Sequence, residues 1–409
     1  MPGPGYAFLG QEERQNVEEV LKNWDLTRFA YDAPEKTTFV RGLELSAQQV
    51  FNSPYAIAVN SGTSALLTAL AALDIGPGDE VIVPGYTFIA SLGSIVYSGA
   101  TPVLAEVDTS LTLDPQDVEN RITARTRAIM AVHMLGAPCD MDALTAIANR
   151  HGLAIIEDTA QACGATYRGQ RLGAIADIGA FSLNPFKVIT SGEGGLVLTS
   201  DERLYKRAYA FQDQGWSPLR ADRDQSDGDI LFGLNLRMAE LAAAVGIAQL
   251  DKLDTVLGQV RSAKQHLASL IPTMPGLSRR TLHDAQGECG TLLIYVLDDP
   301  AAATELAAAL DSKTMINSGR HYYANMPQLA GLADATATPF RRATNNSTPD
   351  YRKGSLPQTD DVLARSIALS VGVSDSYLGA GFGITARSTT DQIAQTAEEF
   401  TQAATKILG

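Results

Sequence analysis

Cysteine is scarce in this 409-residue chain: there are three (Cys139, Cys163, Cys289), and no two form a CxxC pair. That spacing argues against a disulfide framework or a thiolate zinc site and fits a reducing cytoplasm. Positive charge is short too, with 32 Lys and Arg against 46 Asp and Glu and a formal net charge of −14. A nucleic-acid backbone or an anionic membrane is therefore not expected as the main partner, although a local pocket for a small anion stays open. No stretch of 18 uninterrupted apolar residues occurs, so no membrane span is expected. The opening MPGPGYAFLGQEERQNVEEVL has no cationic leader followed by an apolar run, so no signal peptide is expected either. Internal repeats and low-complexity tracts are missing. So is a strand-to-helix GxGxxG turn, since GAGFG at 379–383 has the wrong spacing; this disfavours a nicotinamide enzyme. No His/Asp/Glu cluster supports a metal site.

What is present is apolar and periodic. YAIAVN, DEVIVPG, TPVLAEVD, RAIMAVHML, LAIIEDT, IGAFSL and GLVLTS recur between residues 55 and 200 as near-continuous apolar runs, the pattern of strands covered on both faces. Helical stretches such as SALLTALAAL and MDALTAIANRHG lie between some of them, the second ending in Gly152 as a C′ residue. This alternation predicts an α/β domain with a largely parallel sheet and a ligand beyond the strand carboxyl ends. Residues 238–270 read as one long helix, stopped by IPTMPG. TLLIYVL, AAATELAAALDS and a final amphipathic helix follow, so residues 1–254 are expected to form a large domain and 255–409 a smaller α+β one. The polar, turn-rich stretch 332–358 reads as a long surface or active-site loop.

Three segments carry chemistry. In NSGTSALLTAL a strand ends and a helix begins over small polar residues. Gly62, Thr63 and their neighbours would make a phosphate cradle from free helix N–H groups, or a plain N-cap. LAIIEDTAQACG delivers Glu157 and Asp158 at a strand end, where a carboxylate could face a cationic ring nitrogen or cap the next helix. FSLNPFKVITSGEGG sets Lys187 among Pro185, Phe186, Val188 and Ile189, surroundings that desolvate an amine and favour its nucleophilic form; an ordinary solvated lysine is the alternative. Together an anion cradle, a carboxylate and an activated amine are what pyridoxal 5′-phosphate requires.

The same segments, with GDEVIVPGYTFIAS, VHMLGAP and GLNLRMAELAAAVGIAQLDKLD, resemble the DegT/DnrJ/EryC1/StrS family of sugar aminotransferases. The resemblance is closest from Tyr6 to Asp251. It implies fold type I, with a seven-stranded, mostly parallel sheet between helices. It also implies pyridoxal phosphate as cofactor and Lys187 as Schiff-base lysine and general acid/base. Asp158 would pair with the pyridine nitrogen, Gln161 contact the ring hydroxyl and Phe88 stack on the ring. Gly62, Thr63 and Ser182 would bind the phosphate with Asn235 of a second subunit, making a cytoplasmic homodimer with shared active sites. An amino group would pass from L-glutamate or L-glutamine to a keto or aldehyde sugar, cyclitol or related acceptor. Two rivals keep the cofactor: another amino-acid reaction such as elimination or decarboxylation, and a non-catalytic binding protein. His321 and Tyr322 are weaker substrate-contact candidates, His133 reads as structural, and Glu193 and Arg237 stay open. Many relatives carry His where this chain has Asn184 and Asn where it has Val188. With the long 26–44 segment, this resembles the branch that aminates C8 of a keto-deoxyoctulosonate sugar. Dehydratases of the family replace the lysine by histidine; this chain keeps it.

Overall fold

Seven of the apolar runs form one sheet. Its strands are β1 (Tyr55–Val59), β2 (Glu80–Pro84), β3 (Thr101–Ala105), β4 (Thr126–Val132) and β5 (Ala154–Asp158). After a small hairpin of β6 (Thr166–Tyr167) and β7 (Gln170–Arg171), β8 (Ile178–Ser182) and β9 (Gly195–Thr199) complete it. The structure is a computed structural model and describes residues 3–24, 26–29, 37–216, 231–333, 349–373 and 378–409. Parts of the 26–44 and 332–358 segments therefore lie outside the described residues.

The strand order is β1-β9-β8-β5-β4-β2-β3. Only β9 runs against its neighbours; the other pairings in the sheet are parallel. Successive side chains on a strand point to opposite faces, so a sheet covered on both needs apolar residues at every position. On β4, Ile129 and Ala131 enter one core and Met130 and Val132 the other. The first face is covered by α2 (Phe39–Phe51), α6 (Met141–His151) and α8 (Glu240–Asp251), and α1 (Gln11–Asn23) packs on α8. The second is covered by α3 (Gly62–Ala72), α4 (Ile89–Tyr97) and α7 (Glu202–Gln212), while α5 (Pro115–Asn120) lies after β3. All strands but β9 thus end along one edge.

The expected single helix over 238–270 is two: α8 stops at Asp251 and α9 (Leu253–Leu270) restarts after Lys252. No Gly or Pro breaks it. The Lys252 N–H turns to the Gln249 carbonyl (3.1 Å), three residues back, and its ammonium is held outside the helix by Glu13 and the Phe8 carbonyl. After α9 comes an antiparallel sheet of β10 (Leu277–Arg279), β11 (Leu292–Leu297) and β12 (Ser366–Ser370), with α10 (Pro300–Ala309), α11 (Pro327–Ala333) and α12 (Pro357–Arg365) between its strands. The amphipathic α13 (Thr390–Leu408) closes over this sheet, Phe400 stacking on Tyr295 at 5.1 Å. All three cysteines are buried and free. Burial holds the Cys163 thiol above its usual range and pushes that of Cys289 up to about 12. Among the described residues no helix is long and apolar enough to cross a membrane, and no cluster of three metal-ligating side chains occurs.

Candidate active site

Where β1 ends, Ser61 caps α3 by accepting the Ser64 N–H on its hydroxyl. The N–H groups of Gly62 and Thr63 then open the helix without intrahelical acceptors, at the positive end of its dipole. Across from them stands Ser182, the last residue of β8. A Cβ on Gly62 would lie 2.5 Å from the Ser182 Cβ and 2.9 Å from its hydroxyl. Only glycine lets the helix end and that hydroxyl share one concavity.

At the end of β5 the two carboxylates part company, because neighbours on a strand face opposite sides. Glu157 is fully buried and accepts the N–H groups of Gly173 (2.7 Å), Ile175 (2.8 Å) and Ala176 (2.8 Å). It also meets His133 Nε2 at 3.1 Å, while His133 Nδ1 accepts the Cys139 N–H, so the ring proton sits on Nε2. Both residues are committed to holding turns. Asp158 faces the other way and accepts from the Ser91 hydroxyl (2.7 Å) and the Ala160 N–H (3.1 Å). Ser91 was not singled out in the sequence. It lies in the first turn of α4, whose N-cap is Phe88, so one helix start orients both the carboxylate and the aromatic ring.

Beside this edge lies a cavity of about 280 Å³. Phe88, Gln161 and Lys187 line it together, with Leu135, Asn184, Phe186 and Val188. Gln161 Oε1 accepts the Leu135 N–H (3.1 Å), which leaves its amide N–H₂ for a ligand. Leu135 itself has φ +59°, a conformation leucine rarely adopts. Its turn is clamped by the Arg280 guanidinium on the Met134 carbonyl (3.1 Å) and the Cys289 N–H on the Gly136 carbonyl (2.8 Å). The opposite wall comes from later in the chain: Thr291, Leu292, Arg320, His321, Val373 and Leu378. His321 lies 5.2 Å from Phe88, ring to ring. Burial, with Lys187 and Arg320 nearby, pushes its imidazole down to about 3, so it is neutral at physiological pH.

Other sequence candidates sit elsewhere. The Tyr322 hydroxyl donates to Asp360 (2.7 Å), and Tyr322 is not among the residues that line the cavity. Asn235 is exposed and bridges Asp213 in a segment whose Leu236 carbonyl takes the Asn60 N–H, next to the cradle. Arg237 is tied to Asp213 (2.6 Å) and Gln214 (3.0 Å). Glu193 is exposed, and its main-chain carbonyl accepts from the Ser191 hydroxyl.

These residues fit pyridoxal phosphate. The fit rests on the glycine-opened concavity between α3 and Ser182, an oriented carboxylate with lone pairs left over, and an amine and an aromatic face on one cavity.

Comparison with known proteins agrees. The DegT/DnrJ/EryC1/StrS aminotransferase family matches residues 8–373. The GDP-perosamine synthase of Caulobacter vibrioides is 47% identical over 201 residues, which are 49% of this chain and 53% of that protein. The L-glutamine:2-deoxy-scyllo-inosose aminotransferase of Streptomyces fradiae is 34% identical over 329 residues, 77% of each. The crystal structure of 3-amino-5-hydroxybenzoic acid synthase superposes with a TM-score of 0.77 at 27% identity, over 97% of both chains.

Proposed function

The chain belongs to the DegT/DnrJ/EryC1/StrS family of pyridoxal phosphate-dependent aminotransferases, and from that premise we propose that it moves an amino group from L-glutamate or L-glutamine to a keto or aldehyde sugar or cyclitol. The observation that carries this reading is the placement of Lys187, Gln161 and Phe88 on one cavity beside the Gly62–Ser182 concavity.

The cofactor, when bound, supplies an aldehyde for amine capture and a ring that accepts the electron pair left when a proton departs. The protein's own groups do the rest. The N–H groups of Gly62 and Thr63 and the Ser182 hydroxyl would bind the phosphate, and the Asp158 carboxylate would keep the ring nitrogen protonated. Phe88 would pack on the ring, and the Gln161 amide would donate to the ring hydroxyl. Lys187 Nζ would take the proton from the α-carbon of the amino donor, hold it and give it back, serving as both base and acid. Leu135, Val188 and Leu292 keep water from that amine. Residues 255–409 form the smaller domain, which brings Arg320 and His321 to the acceptor side.

We place a second copy of the chain against the exposed Trp216, Phe232 and Leu234, with its Asn235 completing the phosphate site. The buried free thiols suit the cytoplasm. The test is to load the protein with pyridoxal phosphate, supply L-glutamate or L-glutamine, and follow amine gain by keto-sugars and cyclitol ketones by mass spectrometry. Lys187→Ala should remove the lysine-dependent visible band and lower turnover by about 100- to 10,000-fold. A variant that keeps both would sink the assignment.

A further inference from the structure

Lys187 sits in an irregular turn, and its amine hangs on four rotatable bonds, so its aim depends on how residues 184–190 are held. Within the turn, the Lys187 N–H reaches the Asn184 carbonyl (3.1 Å) and the Thr190 hydroxyl reaches the Leu183 carbonyl (3.0 Å). Two further bonds come from outside it. The Gly3 N–H donates to the Pro185 carbonyl (2.7 Å), and the Thr190 N–H donates to Gln249 Oε1 (3.3 Å). They grip the turn two residues before the lysine and three residues after it.

Between those grips the N-terminal strap lies directly against the turn's backbone. A Cβ on Gly3 would stand 2.5 Å from the Lys187 carbonyl oxygen, and one on Gly5 2.6 Å from the Ile189 Cα. Both glycines are buried, and the missing side chains are what permits the approach. The strap is anchored in turn. Glu13 accepts the Gly10 N–H (2.7 Å), the Gln249 Nε2 amide (2.8 Å) and the Lys252 ammonium (2.8 Å), and Lys252 also reaches the Phe8 carbonyl (3.2 Å). Gln249 is fully buried and spends one end on the strap's anchor and the other on the lysine turn. The break between α8 and α9 is what points Lys252 at this network.

We propose that Gln249, braced by Glu13 and the Gly3–Phe8 strap, is a positioning residue that sets the aim of Lys187 from behind the turn. The inference rests on Lys187 being the reactive amine.

The test uses Gln249→Leu, with Gly3→Ala as a second variant should the first not fold. In the cofactor-free protein, amide hydrogen exchange over 184–192 should speed up about tenfold while peptides from β4 and β5 keep wild-type rates. In the loaded protein, the pH midpoint of the visible band should move by about half a unit, because the amine's surroundings change. Turnover should fall through kcat, with the donor KM little changed. The swap Glu13→Gln with Gln249→Glu, which keeps an acceptor for Thr190 and one carboxylate in the network, should restore both exchange and band. Exchange that rises evenly along the chain, or a band and turn that stay as in wild type, overturns the proposal. If Lys187→Ala keeps the band, the assignment of the amine is what fails. If that assignment holds and the Gln249 variants behave as wild type, this inference alone falls.

Discussion

The two walls of the cavity are built differently. The near wall lies along strand ends, where side chains have partners of their own: Gln161, on the cavity, accepts from Leu135, and Asp158, at the edge beside it, accepts from Ser91 and Ala160. The far wall is held by its backbone. The Thr87 N–H bonds to the His321 carbonyl (2.8 Å) and the Ile89 N–H to the Arg320 carbonyl (3.1 Å), so main-chain bonds seat this loop against the start of α4. The contrast teaches where chemistry and selectivity should separate. Groups that must be placed to a fraction of an ångström belong on a rigid wall, and on the proposed reading the groups that would meet the acceptor belong on the other.

The sharpest test of this division is Asp158→Asn, expected to lower kcat by about 100- to 1,000-fold, the scale seen when a preorganised electrostatic partner is removed. Thermal unfolding of the cofactor-free variant should stay near wild type; a loss of fold instead would make Asp158 a structural group. Next, Gly62→Ala drives a Cβ into Ser182. It should weaken cofactor binding by about tenfold or more, an overpacking effect of about 1–3 kcal/mol, readable by fluorescence titration. On the far wall, Arg320→Ala should raise the KM of one substrate by about tenfold and leave the visible band unmoved. A shifted band would erase the distinction between the walls. The smallest effect concerns the strap. Burial pushes the Glu13 carboxyl up, but bonds from Lys252 and Gln249 outweigh it, and the net shift is downward from 4.5. Its contribution is then complete above that ordinary value and is lost as pH falls below it. The Tm difference between wild type and Glu13→Gln should be about 2 °C near neutrality and close in acid.

The near wall was legible in the sequence because each part is local. A strand end followed by small polar residues, a carboxylate after an apolar run, and a lysine among Pro, Phe and Val each declare themselves within a dozen residues. The main sheet was legible for the same reason, since burial on both faces leaves unbroken apolar runs. The far wall was not. Thr291, Arg320, Val373 and Leu378 are scattered over nearly 90 residues, and only the tertiary fold brings them to one surface. The break at Lys252 was equally hidden, because no Gly or Pro marks it and the groups that hold the Lys252 ammonium, Glu13 and the Phe8 carbonyl, lie near the N-terminus. Glu157 and Asp158 could be told apart in principle, since strand alternation sends them to opposite faces. Which of the two is oriented from α4 required Ser91, whose position three residues after Phe88 in YTFIAS was the available clue.

The burial of Cys139, Cys163 and Cys289 makes the native protein its own reporter. Alkylating reagents attack thiolates they can reach, so a folded molecule should stay unlabelled in reagent excess. Each mass increment would mark a chain that had opened, and the order in which the three sulfurs react would map which layer loosens first without any added probe.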